Sequence, residues 1–172
     1  MQGSSGNVAT VNFFTKFTSS EQFEKVFREG MSLVEETANY LDGPGRLDAR
    51  VLERHGAIAY ATESMRLTTR LMQLASWLLL QRAIGAGELT VEDARKENHR
   101  ISLGDIGKGH DLAGADDLPD ALKALVERSL TLHQRIQKLD SMISAQTSPE
   151  AAPSPVNDQI DRLASMLKVA RG

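Results

Sequence analysis

One stretch constrains this chain more than any other: YATESMRLTTRLMQLASWLLLQRA, Tyr60 to Ala83. It lies inside a helical pattern that runs from about Leu47 to about Ile84, on the order of 55 Å at 1.5 Å per residue, until GAGE, Gly85 to Glu88, stops it. Turning 100° per residue, one seam holds Val51, His55, Ile58, Thr62, Met65, Thr69, Met72, Ser76, Leu79 and Ala83, large apolar residues alternating with small ones. A second stripe, roughly opposite, holds Tyr60, Ser64, Leu67, Leu71, Leu74 and Leu78. Between them Ala57, Ala61, Thr68 and Ala75 are small enough for close helix approach. Only a narrow polar ridge is left: Glu63, Arg66, Arg70, Gln73, Trp77 and Gln81. A helix apolar over most of its circumference must be buried on several sides. Two helices of the same chain cover two stripes, and a second chain covers more easily what remains. The expectation is a homodimer whose interface uses part of this helix. The alternative is that the first and third helices alone cover it. A membrane span is excluded, because the longest uncharged run, Leu71 to Gln81, falls short of the roughly 20 apolar residues a bilayer needs.

Around this helix the rest of the chain reads as all-α. A first helix begins near Thr18–Glu21, where Thr18 with Glu21, or Ser19 with Gln22, makes a capping box. Phe23, Phe27, Gly30, Val34, Thr37 and Leu41 form its inner face, and DGPG, Asp42 to Gly45, ends it. Phe13, Phe14 and Phe17 precede it and are expected to fold back onto the bundle end. Thr90 caps a short helix, VEDARKEN, and the glycine- and aspartate-rich run His99 to Asp117 is expected to hold little regular structure. The third helix starts at Leu118-Pro119. Its seam, Leu118, Leu122, Leu125, Ser129, Leu132, Ile136, Leu139 and Ile143, is a heptad pattern broken only by Ser129. The predicted architecture is an antiparallel three-helix bundle with a long central helix and flexible tails. It divides into an N-terminal arm over 1–17, the bundle over 18–145, a linker over 146–157 and a C-terminal amphipathic segment over 158–172. The linker reads QTSPEAAPSPVN, too rich in proline, serine and alanine to build a core. The last segment places Ile160, Leu163, Ala164 and Leu167 on one face; so short a helix needs a surface to fold on.

Catalytic chemistry is hard to assemble from these residues. There is no cysteine, so disulfides, thiolate catalysis and Cys-ligated metals are excluded. His55, His99, His110 and His133 are scattered and form no HExxH pattern. GDIGKG, Gly104 to Gly109, is too short for a phosphate loop and lacks its hydroxyl residue. Asp111, Asp116 and Asp117 do not follow EF-hand spacing. Glu35 and Glu36 are neighbours on a helix and point about 100° apart. A formal net charge of −3 and the lack of a basic, aromatic-studded cluster give no pull toward nucleic acid. No catalytic residue, metal or cofactor is expected. The opening residues, MQGSSGNVATVNFFTKF, lack the basic and apolar regions of a secretory signal.

The polar ridge of the long helix admits two readings. Glu63 lies three residues before Arg66 and seven before Arg70, so the three charges pair with one another. Alternatively Glu63, Arg66, Arg70, Gln73 and Trp77 form a docking patch, since arginine and tryptophan are over-represented among binding hot spots. Trp77 also suits an ordinary core position. On the docking reading, charge reversal at Arg66 and Arg70 weakens partner binding and leaves helicity unchanged. The tail residues Ile160, Leu163 and Leu167 then supply a second contact.

Two segments, FREGMSLVEETANYLDGPGR (Phe27 to Arg46) and the opening stretch, closely resemble the regulator of CtrA degradation (RcdA) family of alphaproteobacteria. LVERSLTLHQRIQKLD in the third helix is compatible, so the resemblance covers roughly Phe23 to Asp140. The resemblance implies a small, often dimeric three-helix bundle without catalytic activity. It implies an adaptor that joins the ClpX unfoldase of the ClpXP protease, together with a single-domain receiver protein. Such adaptors deliver regulators such as transcription factors for degradation during the cell cycle. A cytoplasmic location follows, with recruitment to a cell pole as a further expectation. The rival readings are a histidine phosphotransfer bundle, in which His55 or His133 accepts a phosphoryl group, and a purely structural dimeric scaffold.

Overall fold

The computed structural model describes residues 5–101, 103 and 112–147. The described part is all-α: α1 (Ser5–Thr18), α2 (Glu21–Asp42), α3 (Pro44–Arg50), α4 (Arg54–Gly85), α5 (Val91–Arg100), a 3₁₀ turn (Ala115–Asp117) and α6 (Asp120–Thr147). The chain forms two compact units, Met1–Gln137 and Lys138–Gly172. The first holds the bundle. The described part of the second is the last turns of α6. The C-terminal amphipathic segment, with Ile160, Leu163 and Leu167, lies outside the described residues, as does the linker after Thr147.

The helix boundaries follow local chemistry. Ser20, not Thr18 or Ser19, caps α2: its hydroxyl accepts from the Phe23 N–H at 3.2 Å. Thr18 and Ser19 are unavailable because their hydroxyls donate to the last carbonyls of α1, to Phe14 O at 2.9 Å and Thr15 O at 2.7 Å. The N-terminal phenylalanines do fold back, but as a helix. Phe13, Phe17, Phe23 and Phe27 form a ladder of ring contacts from α1 into α2, with centroids 5.2–6.2 Å apart. Phe14 beside them is buried. α2 stops at Asp42, inside the DGPG turn, and Thr90 caps α5 by accepting from the Asp93 N–H.

The long central helix is broken where the sequence pattern predicted continuity. α3 and α4 are separated at Val51–Glu53, and Glu53 is extended. The break goes with a close approach of Gly45 to the Tyr60 hydroxyl, which would lie 2.5 Å from a Cβ at Gly45. Fifteen residues of unbroken helix would hold those positions about 22 Å apart. The chain reverses instead, and α3 is laid back beside the start of α4. Tyr40 closes this corner by donating to Asp48 Oδ2 at 2.9 Å. Burial, and then Asp48, push the Tyr40 hydroxyl pKa up; burial also raises Tyr60. Both are raised acids, so the corner contributes its full stability below the ordinary tyrosine pKa of about 10 and loses it as pH rises above that. Tyr40→Phe is therefore expected to flatten the loss of stability above about pH 10, read from urea midpoints across pH.

Three long helices make the core. Glu36 pairs with Arg128 and Glu29 with Arg135, each at 2.7 Å, so α6 runs antiparallel to α2. Arg82 of α4 lies 4.5 Å over the Phe27 ring near the start of α2, while Tyr60 meets Tyr40 and Gly45 at its end. α4 is thus also antiparallel to α2, and α4 and α6 run in the same direction. A Cβ at Gly30 would lie 2.6 Å from Leu78 Cδ1, so a hydrogen there is what lets α2 lie this close to α4. The third-helix pattern holds in the first unit: Leu118, Leu122, Leu125, Ser129, Leu132 and Ile136 are all buried.

Candidate functional site

Everything distinctive about this molecule's surface depends on which side of α4 faces out. The buried residues of α4 are the leucine stripe (Leu67, Leu71, Leu74, Leu78) together with Gly56, Ala59, Arg70, Trp77, Leu80, Gln81 and Ile84. The ridge read as polar surface is therefore turned inward. Trp77 is 0% exposed and Arg70 1%. This corrects the docking-patch expectation for both residues, because neither side chain reaches solvent. The physical cause is visible in the packing. Turning this arc inward buries four leucines, Trp77 and Ile84, whereas the alternative seam has threonine, serine or alanine at every second position. Burial of apolar area favours the first arrangement.

The polar groups carried inside are accommodated in part. Arg70 Nη1 donates to Ser129 Oγ at 2.7 Å, and Ser129 Oγ donates in turn to Val126 O at 2.7 Å. Ser129, the one polar position in the third helix's seam, thus meets the buried guanidinium. Burial pulls the Arg70 pKa down, Glu63 opposes that shift, and Arg66 adds to it. Gln81 is 1% exposed, and neither atom of its amide has a hydrogen-bond partner among the described residues. The Gln73 Oε1 is likewise unpartnered there. Glu63 and Arg66 sit at the edge of the buried arc and form an ion pair at 2.7 Å, their side chains 15% and 25% exposed. A helical pair of this spacing stabilises by about 0.2–0.5 kcal/mol. Of the five residues read as a docking patch, only Glu63, Arg66 and part of Gln73 border the surface.

What α4 does present to solvent is the first seam. Ile58 is 55% exposed, Met65 72%, Met72 66% and Leu79 53%. Thr69 and Ser76 between them are exposed, and Thr62 and Ala83 are half-buried. From Ile58 to Ala83 the steps are 4, 3, 4, 3, 4, 3 and 4, a heptad pattern with no charged residue in it. The flanking arginines are engaged within their own chain, Arg66 by Glu63 and Arg82 over Phe27. A charge-free face of this length, with a large exposed apolar side chain once per heptad, is the candidate surface for a partner. Methionine suits such a face, since its flexible thioether adapts to differently shaped partners. The sequence contained this seam; which seam would be left uncovered was not evident from it.

The histidines do not converge. His133 is buried on α6, His55 is exposed in the first turn of α4, the His99 side chain and His110 lie outside what is described. No group of His, Cys, Asp or Glu suited to a metal ion occurs among the described residues, and no described helix is long and apolar enough to cross a membrane.

Comparison with known proteins adds the following. Residues 14–167 match the model of a family described as a protein of unknown function, DUF1465. Among solved structures, the crystal structure of RcdA from Caulobacter crescentus CB15 is 47% identical, with a TM-score of 0.59, and the match covers 75% of this chain and 96% of that one. No functionally curated protein matches the chain.

Proposed function

The chain belongs to the RcdA family, matched by the DUF1465 model over most of its length, and on that premise we propose that it is a non-catalytic adaptor for regulated proteolysis. It delivers regulatory proteins, such as transcription factors, to the ClpXP protease during the cell cycle. It joins the ClpX unfoldase through a single-domain receiver protein, acts in the cytoplasm, and works as a homodimer or in exchange with one. The observation that carries this reading is the charge-free face of α4, Ile58, Met65, Met72 and Leu79 set out to solvent on a rigid bundle. An adaptor has to expose apolar surface without aggregating, and a single stripe with small residues between its large ones does that. Glu63 and Arg66 border the face and set its polar rim. Ile160, Leu163 and Leu167 of the tail make the second contact, which a tether can deliver at high effective concentration.

Neither rival gains a specific observation. Phosphotransfer through His133 would require a buried imidazole to meet a partner's phosphoryl group.

The test is reconstituted degradation of candidate regulators by ClpXP and the receiver protein, with and without this chain. Substrate loss is expected to accelerate several-fold when it is present. Truncation after Gln146 is expected to lower the acceleration without abolishing the fold. Unchanged degradation across a panel of cell-cycle regulators would remove the adaptor reading.

A further inference from the structure

The corner before α4 holds a second exposed apolar pair, apart from the α4 seam. Leu47 is 63% exposed and Val51 83%. They lie four residues apart along α3 and its C-cap, so their side chains neighbour one another on one face. The break at Val51–Glu53 takes Val51 out of line with the α4 seam, which begins at Ile58. α3 has only seven residues, too few to hold as a helix by itself in water. Its inner side is clamped instead. Gly45 is buried against Tyr40 and Tyr60, and Asp48 accepts from the Tyr40 hydroxyl at 2.9 Å. The clamp fixes the frame on which Leu47 and Val51 stand out to solvent.

The charges around this pair are unbalanced on its outer side. Asp42 pairs with Arg46 at 2.8 Å, and Asp48 is turned inward to Tyr40. Arg50, three residues after Leu47 and next to Val51, is exposed, and so is Arg54 at the start of α4. Neither arginine pairs with a described residue. Glu53 is the one carboxylate left among them, so two free guanidinium groups stand against one acid. The Glu53 side chain makes no cap bond to α4, and the first turn of that helix holds no acidic residue. The positive end of the helix therefore adds to the two arginines.

We infer that the outer face of α3 is a docking surface for an acidic peptide segment of a partner protein. Apolar side chains of the segment pack on Leu47 and Val51, and its carboxylates meet Arg50 and Arg54. Arginine suits that role because its planar fork takes a carboxylate through two parallel hydrogen bonds. A nucleic acid fits the same face poorly. Duplex binding rests on roughly 6–10 phosphate contacts, whereas this face offers two free cations on a chain of net charge −3. A small surface of two apolar anchors and two charges gives a weak, salt-sensitive contact. The inference goes beyond the adaptor reading and does not depend on it.

The test is a titration of the isotope-labelled full chain, followed by NMR, with a short peptide that carries two leucines four residues apart among glutamates. Its twin has lysine for every glutamate. The expected result is shifts centred on Leu47, Arg50, Val51 and Arg54 with the glutamate peptide and none there with the lysine peptide. Leu47→Ser with Val51→Ser is expected to weaken binding at least about tenfold. Arg50→Glu with Arg54→Glu is expected to do the same at low salt, with less effect as salt rises. All four side chains are exposed, so thermal melts of both variants should match the parent. No shift at these residues with the glutamate peptide, or equal shifts with both peptides, would overturn the proposal. Stronger perturbation of the same residues by phosphatidylglycerol vesicles or by oligothymidylate would reassign the face to phosphate and overturn it too. No protease or substrate enters the measurement, so its failure leaves the adaptor reading to be judged by degradation alone.

Discussion

Arg70→Glu should destabilise this fold by about 3–5 kcal/mol, because it replaces a hydrogen-bonded buried cation with a buried anion facing Ser129 without a partner. In thermal unfolding followed by circular dichroism, that is a drop of roughly 6–20 °C for a chain of this size. Arg66→Glu, at the edge of the buried arc with its side chain partly in water and set against Glu63, should cost less than Arg70→Glu, about 1 kcal/mol. This outcome reverses the sequence-based expectation that charge reversal at both arginines leaves helicity intact. Arg70→Met separates charge from volume. Ser129 keeps its bond to Val126 O and Glu63 keeps Arg66, so the methionine variant should retain most of the stability that the glutamate variant loses. Equal losses in the two variants would mean that the volume of the Arg70 side chain, rather than its charge and its bond to Ser129, is what the core requires.

Met65→Lys with Met72→Lys should do the opposite: leave the fold almost untouched and remove what α4 binds. Both side chains are exposed, and surface changes of this kind usually shift stability by no more than about 0.5 kcal/mol. Two like charges set in an apolar seam, each copy meeting two more across a two-fold axis, should weaken self-association at least about tenfold, a change of about 1.4 kcal/mol. Sedimentation equilibrium reads the association and a thermal melt reads the fold. The same variant should also lose most of its effect on ClpXP degradation if partners use this face.

The ends of α2 and α5, the end of α4 and the start of α6 were legible to within a few residues because their causes are local, whereas α1 was read as an arm and α4 was begun about seven residues early. DGPG at Asp42–Gly45, Thr90 and Leu118-Pro119 each act through their own backbone. Two features were not legible for the same reason. The break at Val51–Glu53 goes with Tyr60 meeting Gly45, a contact between residues fifteen apart, and the one glycine between them, Gly56, lies inside α4 rather than at the break. The orientation of α4 depends on total buried volume, and periodicity alone ranks its two apolar arcs almost equally. One signal was available. Ser129 is the single polar member of the α6 seam, and a buried hydroxyl looks for a polar partner on the facing helix. Arg70 is that partner. With Arg70 turned inward, Trp77 and Gln81 follow two and three turns on, and Met65 and Met72 are left outside.

Trp77 is the chain's single tryptophan, and its fluorescence tests that orientation most directly. With the ridge packed inside, its emission is expected to be blue-shifted from that of free tryptophan and shielded from iodide, until denaturant unfolds the bundle. Red-shifted emission, readily quenched by iodide in the folded protein, would place the ridge outside and the methionine seam within, and would contradict the account.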